Sequence, residues 1–169
     1  MEKTKLSLAS VEENKLPSNI EAEQSLIGSV LVNNDSIDEI SNIVNAGKFF
    51  DPIHRKIYEV IENLNNKGMI ANPITLKNYF ENDSGLSEVG GVDYLVKLTR
   101  FSSSIKQTID YAKIIHEMYV KRELIFISDG ISDQAKDDQI GKTGESIIED
   151  AEKSLFDLAE RGNFSQTFL

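Results

Sequence analysis

The chain has 169 residues, no cysteine and two histidines, and its 28 acidic against 18 basic side chains give a net charge of −10 and a pI near 4.7. That composition excludes disulfides and thiolate metal centres, leaves too few histidines for a clustered metal site, and sets a negative surface against any phosphate backbone. The length is enough for one ordinary domain, or for one small domain with an appendage.

Residues 1–17 read as a polar, flexible arm ending at Pro17. They lack the continuous apolar core of roughly 7 to 15 residues that a signal peptide needs. No later run approaches the roughly 20 apolar residues of a membrane span. A soluble, cytoplasmic protein with no membrane partner is expected.

Ser18 and Glu21 have capping-box spacing, and Ile20, Leu26, Ile27, Val30 and Leu31 then form an apolar face, predicting a helix over 19–32. A short helix over 36–44 should follow, with Ile37, Ile40, Ile43 and Val44 inward. Asp51 and Pro52 supply a cap and a first-turn proline for a helix over 52–66, and Gly68 lies just past its end. Pro73 opens another over 74–81, with Leu76, Tyr79 and Phe80 inward. Gly90 and Gly91 punctuate a turn before a helix over 92–99, whose Tyr94, Leu95 and Leu98 are core candidates. These five short helices, with strand signals scarce, predict an all-α globule over 18–104.

The longest helical pattern comes next, over about 105–135. Its start should pack on the globule through Ile105, Ile109, Ala112 and Ile115. Farther on, Val120, Leu124, Ile127 and Ile131 recur at four, three and four, and Ile148, Ala151, Leu155 and Leu158 recur at three, four and three. Two such stripes face each other if the chain turns back between Asp137 and Gly144, so a projecting antiparallel hairpin is expected over 105–161. Ile125, Phe126 and Phe156 fall outside both stripes. Two helices cannot cover them, which makes them the candidate interface with another chain, the alternative being that they pack on the protein's own upstream domain. Residues 105–160 carry 13 acidic and 7 basic side chains. Residues 162–169, ending in FSQTFL, read as the start of a linker cut short.

No catalytic motif stands up. Gly141-Lys142-Thr143 matches the end of a phosphate-binding loop, but Lys136 stands where the first glycine should be, and Asp137 and Asp138 lie close by. A turn with Thr143 starting the next helix is the better reading. His54 and His116 have no nucleophile or paired carboxylate at a useful spacing, so structural or surface roles are expected. Glu149, Asp150, Glu152 and Asp157 spread around their helix as a solvated face, and Gly90-Gly91 lacks the third glycine of a dinucleotide fingerprint.

Taken together, Ile20-Glu21-Ala22-Glu23-Gln24-Ser25 with Gly28, then Phe49-Phe50, His54-Arg55 with Ile57, and Ile74-Thr75-Leu76 form the first part of an ordered signature. It continues through Gly90-Gly91 with Tyr94-Leu95, Tyr111-Ala112 with Ile114-Ile115, Arg122-Glu123-Leu124 and Ala151-Glu152. This order and spacing, over about residues 17–161, resembles the amino-terminal domain of bacterial DnaB-type replicative DNA helicases. The resemblance implies a helical head and hairpin that pair with other copies into the collar of a hexamer. It also implies that the hairpin region contacts primase and sometimes a helicase loader. ATP, Mg and strong nucleic-acid binding would belong to an ATPase domain following the linker, so no catalytic, cofactor-binding or metal residue is expected in this chain. The alternative is a free-standing helical regulator or loader-like protein that binds such a helicase.

Overall fold

The structure, a computed structural model, describes residues 16–138 and 141–162. Residues 1–15 of the expected arm and 163–169 of the expected linker lie outside the described residues. The described residues form eight α-helices and one 3-10 turn, with no strand among them. In order these are α1 (Ile20–Val32), α2 (Ser36–Ile40), the 3-10 turn Ala46–Lys48, α3 (Pro52–Asn66), α4 (Pro73–Phe80), α5 (Ser84–Glu88), α6 (Val92–Thr99), α7 (Ile105–Lys136) and α8 (Gly144–Gly162). The chain divides into two compact units. One covers residues 19–119; the other takes the residues up to 18 and those from 120 onward.

In the 19–119 unit, local chemistry sets the helix limits. Asn19, rather than Ser18, caps α1 by accepting from the Ala22 amide at 2.9 Å. Asp51 caps α3 through the Ile53 amide, with Pro52 in the first turn. Asn72 and Thr75 close a reciprocal capping box around Pro73 at the start of α4. Two expectations shift. The helix over 36–44 stops at Ile40, although Ile37, Ile40 and Val44 all remain buried. An additional one-turn helix, α5, forms where Asp83 accepts from the Leu86 amide and drives Leu86 into the core.

The core fills with aliphatic side chains from α1, α3 and α6, including the fully buried Leu26, Ile27, Ile57, Ile61, Leu95 and Leu98. Gly28 lets α1 and α6 approach, because a Cβ there would run into the Leu98 carbonyl. The start of α7 joins this core through Ala112 and Ile115, with Ile109 packed alongside. Ile105 does not, being 46% exposed. Its expected inward place belongs to Thr108, which is fully buried and donates its hydroxyl to the Ser104 carbonyl. Tyr79 also departs from expectation: Leu76 and Phe80 already fill the inward face of α4, and the phenol is left 52% exposed. The division between units consequently falls between Tyr119 and Val120, later than the expected boundary at 104/105.

Candidate protein-interaction site

The second unit contains the distal half of α7 and all of α8, joined by residues 137–143. Side chains from both helices line one cleft of about 280 Å³: Phe126, Ile127, Gly130, Ile131 and Gln134 from α7, and Ile147, Asp150, Ala151 and Ser154 from α8. Helices that flank one cleft and are joined by so short a link must run antiparallel. Thr143 starts α8 by accepting from the Ser146 amide at 3.1 Å, so Gly141-Lys142-Thr143 is a turn and a cap. At the other end of the unit, the buried Arg122 donates from Nη1 to the Pro17 carbonyl at 2.7 Å, fixing the chain just ahead of α1 against α7.

The register of α8 differs from the expected stripe by one residue at two positions. Ile147 and Leu158 are buried and Ala151 and Ser154 half-buried, a spacing of four, three and four. Ile148 and Leu155 are 59% and 44% exposed and lie off that face. Ala151 and Ser154 are small, and they stand opposite Gly130, which carries no side chain. Their size opens the cleft. On α7, Ile127 and Ile131 line the cleft, Val120 is half-buried, and Leu124 is 43% exposed. The three residues expected to meet another chain are all exposed: Ile125 at 36%, Phe126 at 52% and Phe156 at 64%. Charged residues of both signs stand within four positions of them, Lys121, Glu123, Asp129, Glu152, Lys153 and Asp157 among them.

The histidines are held in different ways, neither suited to chemistry on a substrate. His54 is fully buried. Its Nδ1 lies 2.8 Å from Glu23 Oε1 and its Nε2 lies 2.7 Å from the Tyr94 hydroxyl. An ionised carboxylate only accepts, so Nδ1 carries the proton and Nε2 accepts from Tyr94, which in turn accepts from Gln24 Nε2 at 3.3 Å. Burial pushes the Tyr94 phenol above its ordinary pKa, keeping it a donor. Glu23 also takes the backbone amides of Phe50 and Asp51 at 2.7 and 3.2 Å. Both His54 nitrogens and both Glu23 carboxylate oxygens are thus used inside the fold. His116 is half-buried with Nδ1 3.1 Å from Lys48 Nζ, and Lys48 also donates to the Ile43 carbonyl at 2.9 Å. Burial first, and then the Lys48 charge, hold the His116 pKa below its ordinary value, against a smaller opposing effect of Glu117. Among the described residues no group of three potential ligands is placed to hold a metal, and no helix is long and apolar enough to cross a membrane.

The buried network is what sequence reasoning missed. Glu23 was legible only as one carboxylate in an amphipathic helix, on a face otherwise apolar. That position, beside Ala22 and before Leu26 and Ile27, was the available signal.

Residues 15–117 match the family model described as the DnaB-like helicase N terminal domain. The chain is 40% identical over 153 residues to the replicative DNA helicase DnaB of Rickettsia typhi, covering 90% of this chain and 31% of that protein. The corresponding protein of Pasteurella multocida is 32% identical over 148 residues, covering 86% of this chain and again 31% of the relative. The chain thus spans about a third of the length of the curated relatives it matches. Among solved structures, the N-terminal domain of DnaB helicase from Mycobacterium tuberculosis superposes with a TM-score of 0.76 at 24% identity, over 85% of this chain and 99% of that one. A DnaB-like replicative helicase described together with its interactions with primase superposes with a TM-score of 0.65 at 23% identity, over 83% of this chain and 31% of that one. At these identities the superpositions speak for the fold of the matched parts alone.

Proposed function

Since the chain belongs to the DnaB-like helicase N-terminal domain family, we propose that it is the assembly and docking module of a replicative helicase, acting in the cytoplasm and catalysing nothing by itself. Copies pair through the α7/α8 hairpin to build the collar of a hexamer, and the same region holds the carboxy-terminal domain of primase near the emerging single strand. A helicase loader is a further partner of this surface. ATP and Mg belong to an ATPase domain outside the matched part, as does the grip on DNA. The module's contribution is proximity: a tethered primase meets its template at an effective concentration far above its free one.

The observation that carries this reading is the exposure of Ile125, Phe126 and Phe156 in the part of the chain from residue 120 onward, where Arg122, Ile147 and Leu158 are the buried residues among those described. Each large apolar side chain covered by a partner recovers roughly 1.5–3 kcal/mol. Sedimentation across a concentration series, with and without the primase carboxy-terminal domain, tests it. Association is expected in at least one arm and should weaken at least about tenfold in Phe126→Asp, a change of roughly 1.4 kcal/mol or more. A monomer in both arms, or an association that Phe126→Asp leaves untouched, would overturn the assignment.

A further inference from the structure

The chain passes between the two units twice, at residues 18/19 and at residues 119/120. At the second crossing α7 runs on unbroken. At the first there is no helix to guide it: Leu16, Pro17 and Ser18 precede α1, lie half-buried, and have no repeating backbone bonds to keep them in place. A contact far away in sequence reaches them instead. The Pro17 carbonyl accepts from Nη1 of Arg122 at 2.7 Å, across 105 positions of chain. Proline suits the part, since its ring fixes φ and its backbone offers an acceptor and no donor.

The donor is not a surface group. Arg122 is 6% exposed, the one buried charged residue among those described from residue 120 onward. Losing a partner costs a buried guanidinium far more than an exposed one, because no water replaces what is lost, so this bond is kept more strictly than one at the surface. Arg122 has its place only while α7 is helical past residue 120. There the packing of α8, with Ile147 and Leu158 buried, supports it. On the other side of Pro17, Asn19 caps α1: its Oδ1 takes the Ala22 amide at 2.9 Å and its carbonyl takes the Glu23 amide at 3.1 Å. Only Ser18 stands between the carbonyl that Arg122 holds and that cap. Sequence order alone would let residues 16–18 follow α1.

We propose that Arg122 is a latch: it makes residues 16–18 open and close with the α7/α8 hairpin, and it passes each loosening of that hairpin to the cap of α1. Magnetic resonance on the isotope-labelled full chain tests this through two readouts, the heteronuclear NOE of the Leu16 and Ser18 amides and the hydrogen-exchange rates of the Ala22 and Glu23 amides. Arg122→Gln should lower the NOE of both residues to that of a mobile segment and speed exchange at Ala22 and Glu23 by about tenfold or more, with Val30 and Leu31 at the far end of α1 unchanged. Arg122→Lys keeps the charge without the planar fork and should fall between the two. Ile147→Ala weakens the hairpin from within the cleft between α7 and α8. It should also speed Ala22 and Glu23 in the unmodified chain, and add nothing in the Arg122→Gln background. Ordered residues 16–18 in Arg122→Gln would overturn the proposal, even where that variant unfolds the hairpin. So would Ala22 and Glu23 rates that ignore Ile147→Ala, or that respond to the two substitutions additively, since Arg122 would then be packing alone.

Discussion

In the 19–119 unit a histidine and a glutamate are sealed among aliphatic side chains, whereas in the unit from residue 120 onward two phenylalanines, two leucines and two isoleucines are at least a third exposed. Ordinary hydropathy would put them the other way round. The buried polar pair is tolerable because the chain from Gln24 through Tyr94 and His54 to Glu23, and on to the Phe50 and Asp51 amides, leaves no member unsatisfied. It joins α1, the turn before α3, α3 itself and α6, so it specifies one arrangement of four segments, which generic apolar packing would not. The hairpin has the opposite economy. Small residues at its seam give little burial, and its large apolar groups are spent on its outside. Among the described residues the first unit closes a large apolar core, whereas the second buries only Arg122, Ile147 and Leu158.

The contrast breaks most sharply at His54. His54→Ala strands the Glu23 carboxylate without its side-chain donor and the Tyr94 hydroxyl without its acceptor. The expected loss is about 3–5 kcal/mol, read as a lower urea midpoint for the 19–119 unit. Phe126→Asp should change the same midpoint by less than about 0.5 kcal/mol, as a substitution at an exposed site does. Equal effects of the two would mean that the units do not differ in the way described.

Periodicity and capping chemistry located most helices, and they did so where punctuation was strong. Pro52 after Asp51 and Gly91 before Val92 give α3 and α6 the limits expected from residues alone. Reading failed where neighbouring side chains were chemically alike. In α8 the pair Ile147-Ile148 offers two apolar residues 100° apart, and only the approach of α7 chooses between them. Thr108 for Ile105 is a similar case: a threonine whose hydroxyl returns to the Ser104 carbonyl is as good an inward residue as an isoleucine, and nothing in its spacing announces it. The exposed candidates Ile125, Phe126 and Phe156 were legible because they fall off any stripe two helices can bury. The register of α8 gives the next prediction: Ile147→Ala should cost about 2 kcal/mol, seen as faster amide exchange along α8, and Ile148→Ala under about 0.5 kcal/mol. The reverse order would restore the stripe through Ile148 and Leu155.

The smallest expected effect separates the units by pH. His116 lies in the 19–119 unit and faces Lys48 from the Ala46–Lys48 turn and Glu117 from its own helix. Its pKa in the folded chain lies below the ordinary imidazole value near 6.5, so the unfolded chain takes up this proton first as pH falls. The stabilisation is therefore fully present above that ordinary value and is lost as pH drops through the folded one. Lys48 can only donate, which makes Nδ1 of the neutral ring the acceptor, and an asparagine carbonyl can take that place without a titrating proton. His116→Asn should keep the stability of the 19–119 unit at neutral pH and flatten its decline towards pH 5, while amide exchange in α8 is unchanged at both pH values. If the decline stays as steep in the variant, the acid sensitivity of this unit resides in its carboxylates, and the Lys48 contact with His116 contributes position without pH dependence.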